Sequence, residues 1–307
     1  MLTILHNVLH LLLVGTLPPL LLGIINRTKA FFGGRAGPPL LQPYYDLWRL
    51  LRKGSVQSTT TTWIFRFGPV VSLVTALLAA LFIPLGHNTA PLGFAGDLLL
   101  FAYLLALGRF FLVLSALDTG SAFEGMGAAR EVTFACFAEP AMFFCLLVLA
   151  KLTGSLQMAE LFRGSLFSGT FAAAAPLLLV LMSWFLLMLA ENCRIPFDDP
   201  NTHLELTMIH EVIVLDHSGP MLALLQEAAA IKLFVFASLL VRLAVPLDPQ
   251  NAWVSYPAFA ASVCVVAVLL GIVESVMARL RMTLVPHVLT AAAVIAAFGF
   301  VLLVTLP

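Results

Sequence analysis

Charge is what this sequence holds least of. Its 307 residues include 16 basic and 16 acidic side chains, where a soluble chain of this length would carry about 77 charges. With 61% of the residues hydrophobic, a water-soluble globule is excluded. The two signs cancel to a formal net charge of zero, so no strongly basic surface exists to hold nucleic acid or to rest as a whole on anionic lipid. Cysteine is scarce as well. Cys136, Cys145, Cys193 and Cys264 show no C-x-x-C spacing, and three fall inside apolar runs. That pattern points to no iron–sulfur cluster, zinc site or disulfide framework, and they read as buried small hydrophobes. Met1 to Asn7 contain no Lys or Arg, unlike the cationic start of a cleaved secretory signal, so the first helix is expected to stay in place. Absent too are a P-loop, a Rossmann fingerprint and a Ser-His-Asp order; Gly125-Met126-Gly127 reads as turn chemistry in a short loop. Nothing predicts a self-sufficient catalyst.

What is present is apolar length. A spanning helix needs about 20 mostly apolar residues, and stretches bounded by Gly, Pro or charge predict helices near 2–25, 64–86, 97–117, 131–152, 171–191, 219–244, 256–277 and 284–306. The expectation is an all-α integral membrane protein with about eight spans, residues 1–307 forming a single polytopic domain. Phe31-Phe32-Gly33-Gly34 and Gly86 to Pro91 read as turns. No internal repeat is visible, which argues against a transporter built on inverted repeats. The basic residues give a direction. Arg27, Lys29, Arg35, Arg49, Arg52, Lys53 and Arg66 follow the first span, and Arg130, Arg194, Arg279 and Arg281 lie at the third, fifth and seventh loops. Lys151, Arg163 and Arg242 lie at the alternate side, and Arg109 and Lys232 fall within helices. By the positive-inside rule the odd-numbered loops are cytoplasmic and both termini lie outside.

Within the first loop Leu40, Leu41, Tyr44, Tyr45, Leu47, Trp48 and Leu51 recur at helical steps, with Gln42, Asp46, Arg49, Arg52 and Lys53 between them. This predicts an amphipathic helix too short to span, suited to the membrane boundary or to a partner's surface. A plain anchor for the first hairpin is the blander reading.

Ionisable groups inside spans are expensive, on the order of 2.5–3.5 kcal/mol at mid-helix on insertion scales, and so mark function by default. Here Arg109, Asp118, Glu139, Glu191, Glu227, Lys232 and Glu274 fall on or at the ends of spans. The richest stretch runs from Glu191 through Asp198, Glu205, His210 and Glu211 to Asp216 and His217. Pro196 and Pro200 break it, giving a partly buried polar segment between the fifth and sixth spans. Buried carboxylates near a His or a cation can pass a proton along through water. Against this stands simple ion pairing, in which Glu139, Glu191 and Glu227 match Arg130, Arg194 and Lys232. His203, His210 and His217 are seven residues apart, about 10.5 Å along a helix, which is too far for one metal ion.

Ala190-Glu191-Asn192-Cys193-Arg194-Ile195-Pro196-Phe197-Asp198, followed by Glu205-Leu206, resembles the signature of the respiratory complex I subunit 1 family. Arg35-Ala36-Gly37-Pro38 with Leu41-Gln42-Pro43-Tyr44-Tyr45-Asp46 resembles that family's first cytoplasmic loop. Arg130 and Glu139, nine apart, match a pair on its fourth helix, and Arg279-Leu280-Arg281 with Pro286 is similar to its last loop. Gly127-Ala128-Ala129-Arg130-Glu131-Val132, Ala138-Glu139-Pro140, Met277-Ala278-Arg279-Leu280-Arg281 and Asp199-Pro200-Asn201-Thr202-His203-Leu204-Glu205-Leu206 resemble more closely the membrane subunit of group 4 NiFe hydrogenases, the hydrogenase-4 component C and formate hydrogenlyase subunit 4 type.

The resemblance implies eight spans and a prokaryotic plasma-membrane complex. Its partners would be hydrogenase large and small subunits, a ferredoxin-like Fe-S subunit and antiporter-like membrane subunits. The Fe-S clusters and the Ni-Fe centre would belong to those partners, with no cofactor or metal held by this chain. Carried over by position, a proton path would include Glu139, Glu191, Asp198, Glu205, Glu211 and Glu227, with Lys232 and His210 beside it. Arg35, Gln42, Asp46, Arg130, Arg194, Arg279 and Arg281 would form a partner-docking surface or a quinone-like cavity. The expected function is a non-catalytic membrane subunit that anchors the electron-transfer module and couples its redox step to proton movement. A quinone-binding subunit and a purely structural anchor are the alternatives.

Overall fold

A long helix, α1 (Leu2–Phe32), opens the bundle in the computed structural model, which describes residues 2–86, 90–162, 171–198, 208–245 and 252–305. After α2 (Gln42–Leu51) come α3 (Trp63–Leu81), α4 (Asp97–Asp118), α5 (Ala122–Thr153), the single turn α6 (Met158–Leu161) and α7 (Phe171–Glu191). The chain continues through the single turn α8 (His210–Ile213) to α9 (Gly219–Ala244), α10 (Ala252–Val276) and α11 (Val285–Thr305). Among the described residues there is no strand, and eight helices are long and apolar enough to cross a membrane. These are α1, α3, α4, α5, α7, α9, α10 and α11.

The fold is organised around α9. In its most apolar stretch 72% of the residues are buried, against 22% in α11. An apolar helix immersed in protein on all sides is central, and one that keeps most of its apolar surface outward faces lipid. Helices α1, α2, α3, α7 and α10 pack on α9. Trp184 of α7 is fully buried against it and donates from Nε1 to the Phe236 carbonyl at 3.2 Å.

Three boundaries differ from the sequence expectation, each for a local reason. Helix α1 continues through Phe31-Phe32, and the turn is confined to Gly33 and Gly34. Gly34 takes a left-handed φ of 62°, while Arg35 N reaches back to Ala30 O at 2.9 Å, closing the helix. Helix α3 stops at Leu81 rather than near 86, because Pro84 disfavours helical geometry in the residue before it. Helix α5 starts at Ala122, nine residues earlier than hydropathy suggests. There Gly125-Met126-Gly127 is helical, not a turn. Glu124 is buried and accepts from Asp216 N at 2.9 Å. A Cβ on Gly127 would lie within 3.2 Å of Val212 and Ile213, so that glycine serves the close approach of α8.

The cysteines also divide differently. Cys145 is buried, Cys193 and Cys264 are half-buried and Cys136 is exposed on the outer face of α5, where an apolar side chain is at home in lipid. The amphipathic segment is the ten-residue α2, so Leu40, Leu41, Arg52 and Lys53 of the expected run fall outside the helix, and none of its residues is buried. Leu40, Leu41, Tyr45, Trp48 and Leu51 are about half exposed. Tyr44 ties α2 to α1 by donating to Thr16 O, next to Pro18 and Pro19 within that helix.

Candidate functional site

Helices α4, α5, α7 and α9 each bring an ionisable side chain to one point. Arg109 of α4 places Nε 3.3 Å from Glu131 Oε1, Nη1 2.8 Å from Glu139 Oε1 and Nη2 2.5 Å from Glu191 Oε2. Lys232 of α9 places Nζ 2.7 Å from the same Glu191 oxygen. Exposure of the Arg109 and Glu191 side chains is only 10% and 7%. With all five groups ionised, three carboxylates (Glu131, Glu139, Glu191) face two cations (Arg109, Lys232), leaving one negative charge in excess. The cluster therefore holds one more carboxylate than it has cations.

Beside the cluster lies a cavity of about 520 Å³, lined from α1, α2, α3, α4, α5, α7, α8, α9 and the segment after α7. Its wall includes Arg109, Glu131, Glu191 and Lys232 on one side and Asp46, Arg194, Asp198, His210, Glu211 and Glu227 elsewhere. Glu227 Oε2 is buried and has no hydrogen-bond partner among the described residues. Burial, and then the negative charge of Glu227, push the Tyr44 hydroxyl pKa up. Burial, and then the charges of Glu131 and Asp198, hold the Cys193 thiol well above its usual pKa. That thiol is a neutral wall residue, not a thiolate.

A second layer fixes the segment after α7. Asp198 is 1% exposed. It receives Arg279 Nη2 at 2.8 Å and the backbone N–H of Ile209 at 2.8 Å, joining the start of the broken segment to its end and to the loop after α10. Arg194 Nη1 lies 3.4 Å and Lys29 Nζ 2.8 Å from Glu274, whose side chain is fully buried. Arg130 Nη1 donates to Met208 O at 2.8 Å. His217 leaves the cavity altogether. It stacks on Phe65 at 4.0 Å, with Nε2 3.1 Å from Ser115 Oγ, and burial lowers its pKa to about 4.

Of the residues expected on a proton path, Glu191, Asp198, Glu211, Glu227, Lys232 and His210 share the cavity wall, and Glu139 joins through Arg109. Glu205 and His203 lie outside the described residues. Of the expected docking or quinone-cavity group, Asp46 and Arg194 line the cavity, and Gln42 donates to Asp46 Oδ1 at 3.1 Å. Arg35 and Arg281 are exposed away from the lining, while Arg130 and Arg279 brace the segment between α7 and α9.

The pairing alternative is corrected in its partners. Glu139 and Glu191 pair with Arg109 rather than Arg130 and Arg194, and Lys232 takes Glu191 rather than Glu227. His210 and His217 do not share one helical face, since α8 spans only His210–Ile213. Among the described residues no group of three or more His, Cys, Asp or Glu side chains is arranged to hold a metal ion.

Arg109 stands among the intramembrane charges of the sequence but not on the expected proton path, and Glu131 is singled out by neither; both belong to the cluster. A lone guanidinium in the apolar run of α4 is itself the available signal, because such a charge requires carboxylates nearby. Asp97, Asp118, Glu124 and Arg242 have structural duties instead. Asp118, for example, accepts from Thr62 N at 2.6 Å and Phe65 N at 3.3 Å and so caps α3.

Comparison with known proteins agrees with this architecture. The profile of the NADH dehydrogenase family matches residues 5–305. Hydrogenase-4 component C of Escherichia coli (strain K12) is 35% identical over 278 residues, covering 89% of this chain and 87% of that protein. Formate hydrogenlyase subunit 4 of the same organism is 29% identical over 307 residues, covering 98% and 97%. The structure of a membrane-bound sulfane sulfur reductase, described as an archaeal respiratory membrane complex, contains a chain that superposes with a TM-score of 0.84 over 99% of this chain and 100% of that one. At 22% identity it shows the shared fold. The chain belongs to the NADH dehydrogenase family, in its complex I subunit 1-like membrane branch.

Proposed function

We propose that this chain is the membrane subunit of a hydrogenase-type respiratory complex, in which it anchors a soluble electron-transfer module and couples that module's redox step to proton translocation. The observation that carries this reading is the cavity. Its wall combines Glu191, Asp198, Glu211, Glu227 and Asp46, drawn from several elements, with a cluster in which three carboxylates share two cations. A merely structural anchor has no use for Glu227, a buried acid without an ion pair or hydrogen bond to its Oε2.

The soluble module docks on the side of the membrane where α1 ends, α3 begins and α10 meets α11. Eleven of the sixteen basic residues gather there, so this side is cytoplasmic and both termini lie outside. Helix α2 lies at the membrane boundary, with its half-exposed aromatic face in lipid. Hydrogenase large and small subunits, a ferredoxin-like Fe-S subunit and antiporter-like membrane subunits complete the assembly in the plasma membrane of a prokaryote. They supply the Fe-S clusters and the Ni-Fe centre.

The test is substitution in the assembled complex. Glu139→Gln, Glu191→Gln and Glu205→Gln preserve subunit association and lose redox-linked proton translocation. Unchanged translocation in all three would sink the assignment. A quinone-binding role has one observation in its favour, a cavity large enough for a headgroup with Asp46 in its wall. Arg35, expected beside such a headgroup, is exposed outside that lining. Purified complex that retains or reduces a quinone would favour this second reading.

A further inference from the structure

The two α5 carboxylates held by Arg109 face opposite ways. Glu131, Ala135, Ala138 and Met142 form the inward stripe of α5, with Glu131 15% exposed and the other three at 9% or less. Val132, Cys136, Glu139 and Phe143 form the outward stripe at the same three-to-four-residue spacing, and the Glu139 side chain is 41% exposed. Glu131 and Glu191 line the cavity, while Glu139 does not. One guanidinium therefore stands between the cavity acids and an acid on the outer face of the bundle.

We propose that Arg109 is an electrostatic gate: its fixed charge separates protons that reach the cavity wall at Glu131 and Glu191 from Glu139 on the outer face of α5. This rests on the reading of the chain as a proton-translocating subunit. The chemistry of the side chain suits a barrier. A guanidinium has only donors and keeps its proton throughout the accessible pH range, so it cannot accept a proton and hand it on. Its charge also opposes a proton brought close. Repulsion between like charges about 4 Å apart in a partly buried site corresponds to as much as a thousandfold in rate. Lys232 and the wall thiol of Cys193 stand on the cavity side only, so the outward step from Glu191 to Glu139 passes the guanidinium. Opening the gate requires Arg109 to shift toward Glu131 and Glu191 and release Glu139.

The test is passive proton conductance in vesicles containing the assembled complex, with a pH gradient imposed and no redox substrate. Arg109→Gln removes the charge. Arg109→Gln with Glu131→Gln removes one positive and one negative charge together and keeps the net charge of the cluster, so that a failure of the single variant to assemble does not end the test. Either variant is expected to raise proton conductance at least about tenfold over the wild type, whereas Arg109→Lys, which keeps the charge, stays tight. Proton-tight vesicles with both Gln variants would overturn the gate. So would a leak of equal size in Arg109→Lys, or a leak that passes K⁺ as readily as protons and so marks a structural hole. Since no turnover is involved, a wild-type complex that moves no protons during its redox reaction would defeat the proposed function and still leave the leak measurement to decide the gate.

Discussion

The charge balance of the α4–α5–α7–α9 cluster orders the cost of its substitutions. In the native state two cations face three carboxylates. Replacing Glu191 with Gln leaves two of each, a neutral set in which Arg109 keeps Glu131 and Glu139, and the amide oxygen still accepts from Lys232, which is 21% exposed. The expected loss is no more than about 2 kcal/mol, the scale of a charge-assisted hydrogen bond exchanged for a neutral one. Replacing Arg109 with Gln leaves Lys232 alone against three acids. Glu191 keeps Lys232, so the cost of stripping a buried acid of its partner, about 3–5 kcal/mol, falls on Glu131, whose side chain is only 15% exposed, while Glu139 at 41% is screened by its surroundings. Lys232→Gln falls between, since Glu191 retains Arg109. Adding Glu131→Gln to Arg109→Gln restores the native excess of one negative charge, so the double variant is expected to be more stable than Arg109→Gln alone. Thermal unfolding of detergent-solubilised complex, followed by loss of subunit association, ranks the four. A finding that Glu191→Gln is the most destabilising, or that the double variant is worse than Arg109→Gln, would refute the charge accounting.

Three further outcomes test other parts of the structure. Gly127→Val drives a side chain into Val212 and Ile213 and is expected to cost about 1–3 kcal/mol, read as a lower unfolding midpoint, whereas Gly125→Val meets open space on that side of α5 and costs less. His217 is neutral in the fold, with a pKa of about 4 against 6.5 in the unfolded chain. Its contribution is therefore present above pH 6.5 and lost as pH falls toward 4, by about 1.4 kcal/mol per unit within that window. His217→Asn, measured between pH 7 and 4, is expected to show a shallower decline, and an identical slope would contradict it. Trp48, half exposed on α2 with the Arg52 guanidinium 4.3 Å from its ring centre, is expected to be quenched by lipids brominated near the headgroup. In a variant retaining only that tryptophan, quenching by aqueous iodide alone would remove α2 from the membrane boundary.

Hydropathy located all eight spans because burial in lipid is a property of each segment separately, and a 20-residue apolar run needs no neighbour to be recognised. It failed at the start of α5 for the same reason. Glu124, Arg130 and two glycines lower the local apolarity, but Glu124 is satisfied by Asp216 N and Gly127 is packed by Ile213, both about ninety residues away. The list of intramembrane charges was equally legible, Arg109 and Lys232 included. Which charge meets which was not.

Sequence alone therefore determined that the chain lives in a membrane, how many times it crosses, which of its loops carry the positive charge and, through ordered motifs along its length, its family. The tertiary structure decided the pairing. Glu139 lies nine residues from Arg130 yet meets Arg109 on another helix, and Glu131 and Glu139 differ in the face they present while sharing one guanidinium. Those facts depend on how each helix is rotated about its axis and how far a side chain reaches across a helix interface, quantities fixed by packing between segments and by no property of a segment taken alone. The 32 charges are few enough to count in the sequence, but only the packed bundle joins Arg109 to three acids drawn from two other helices.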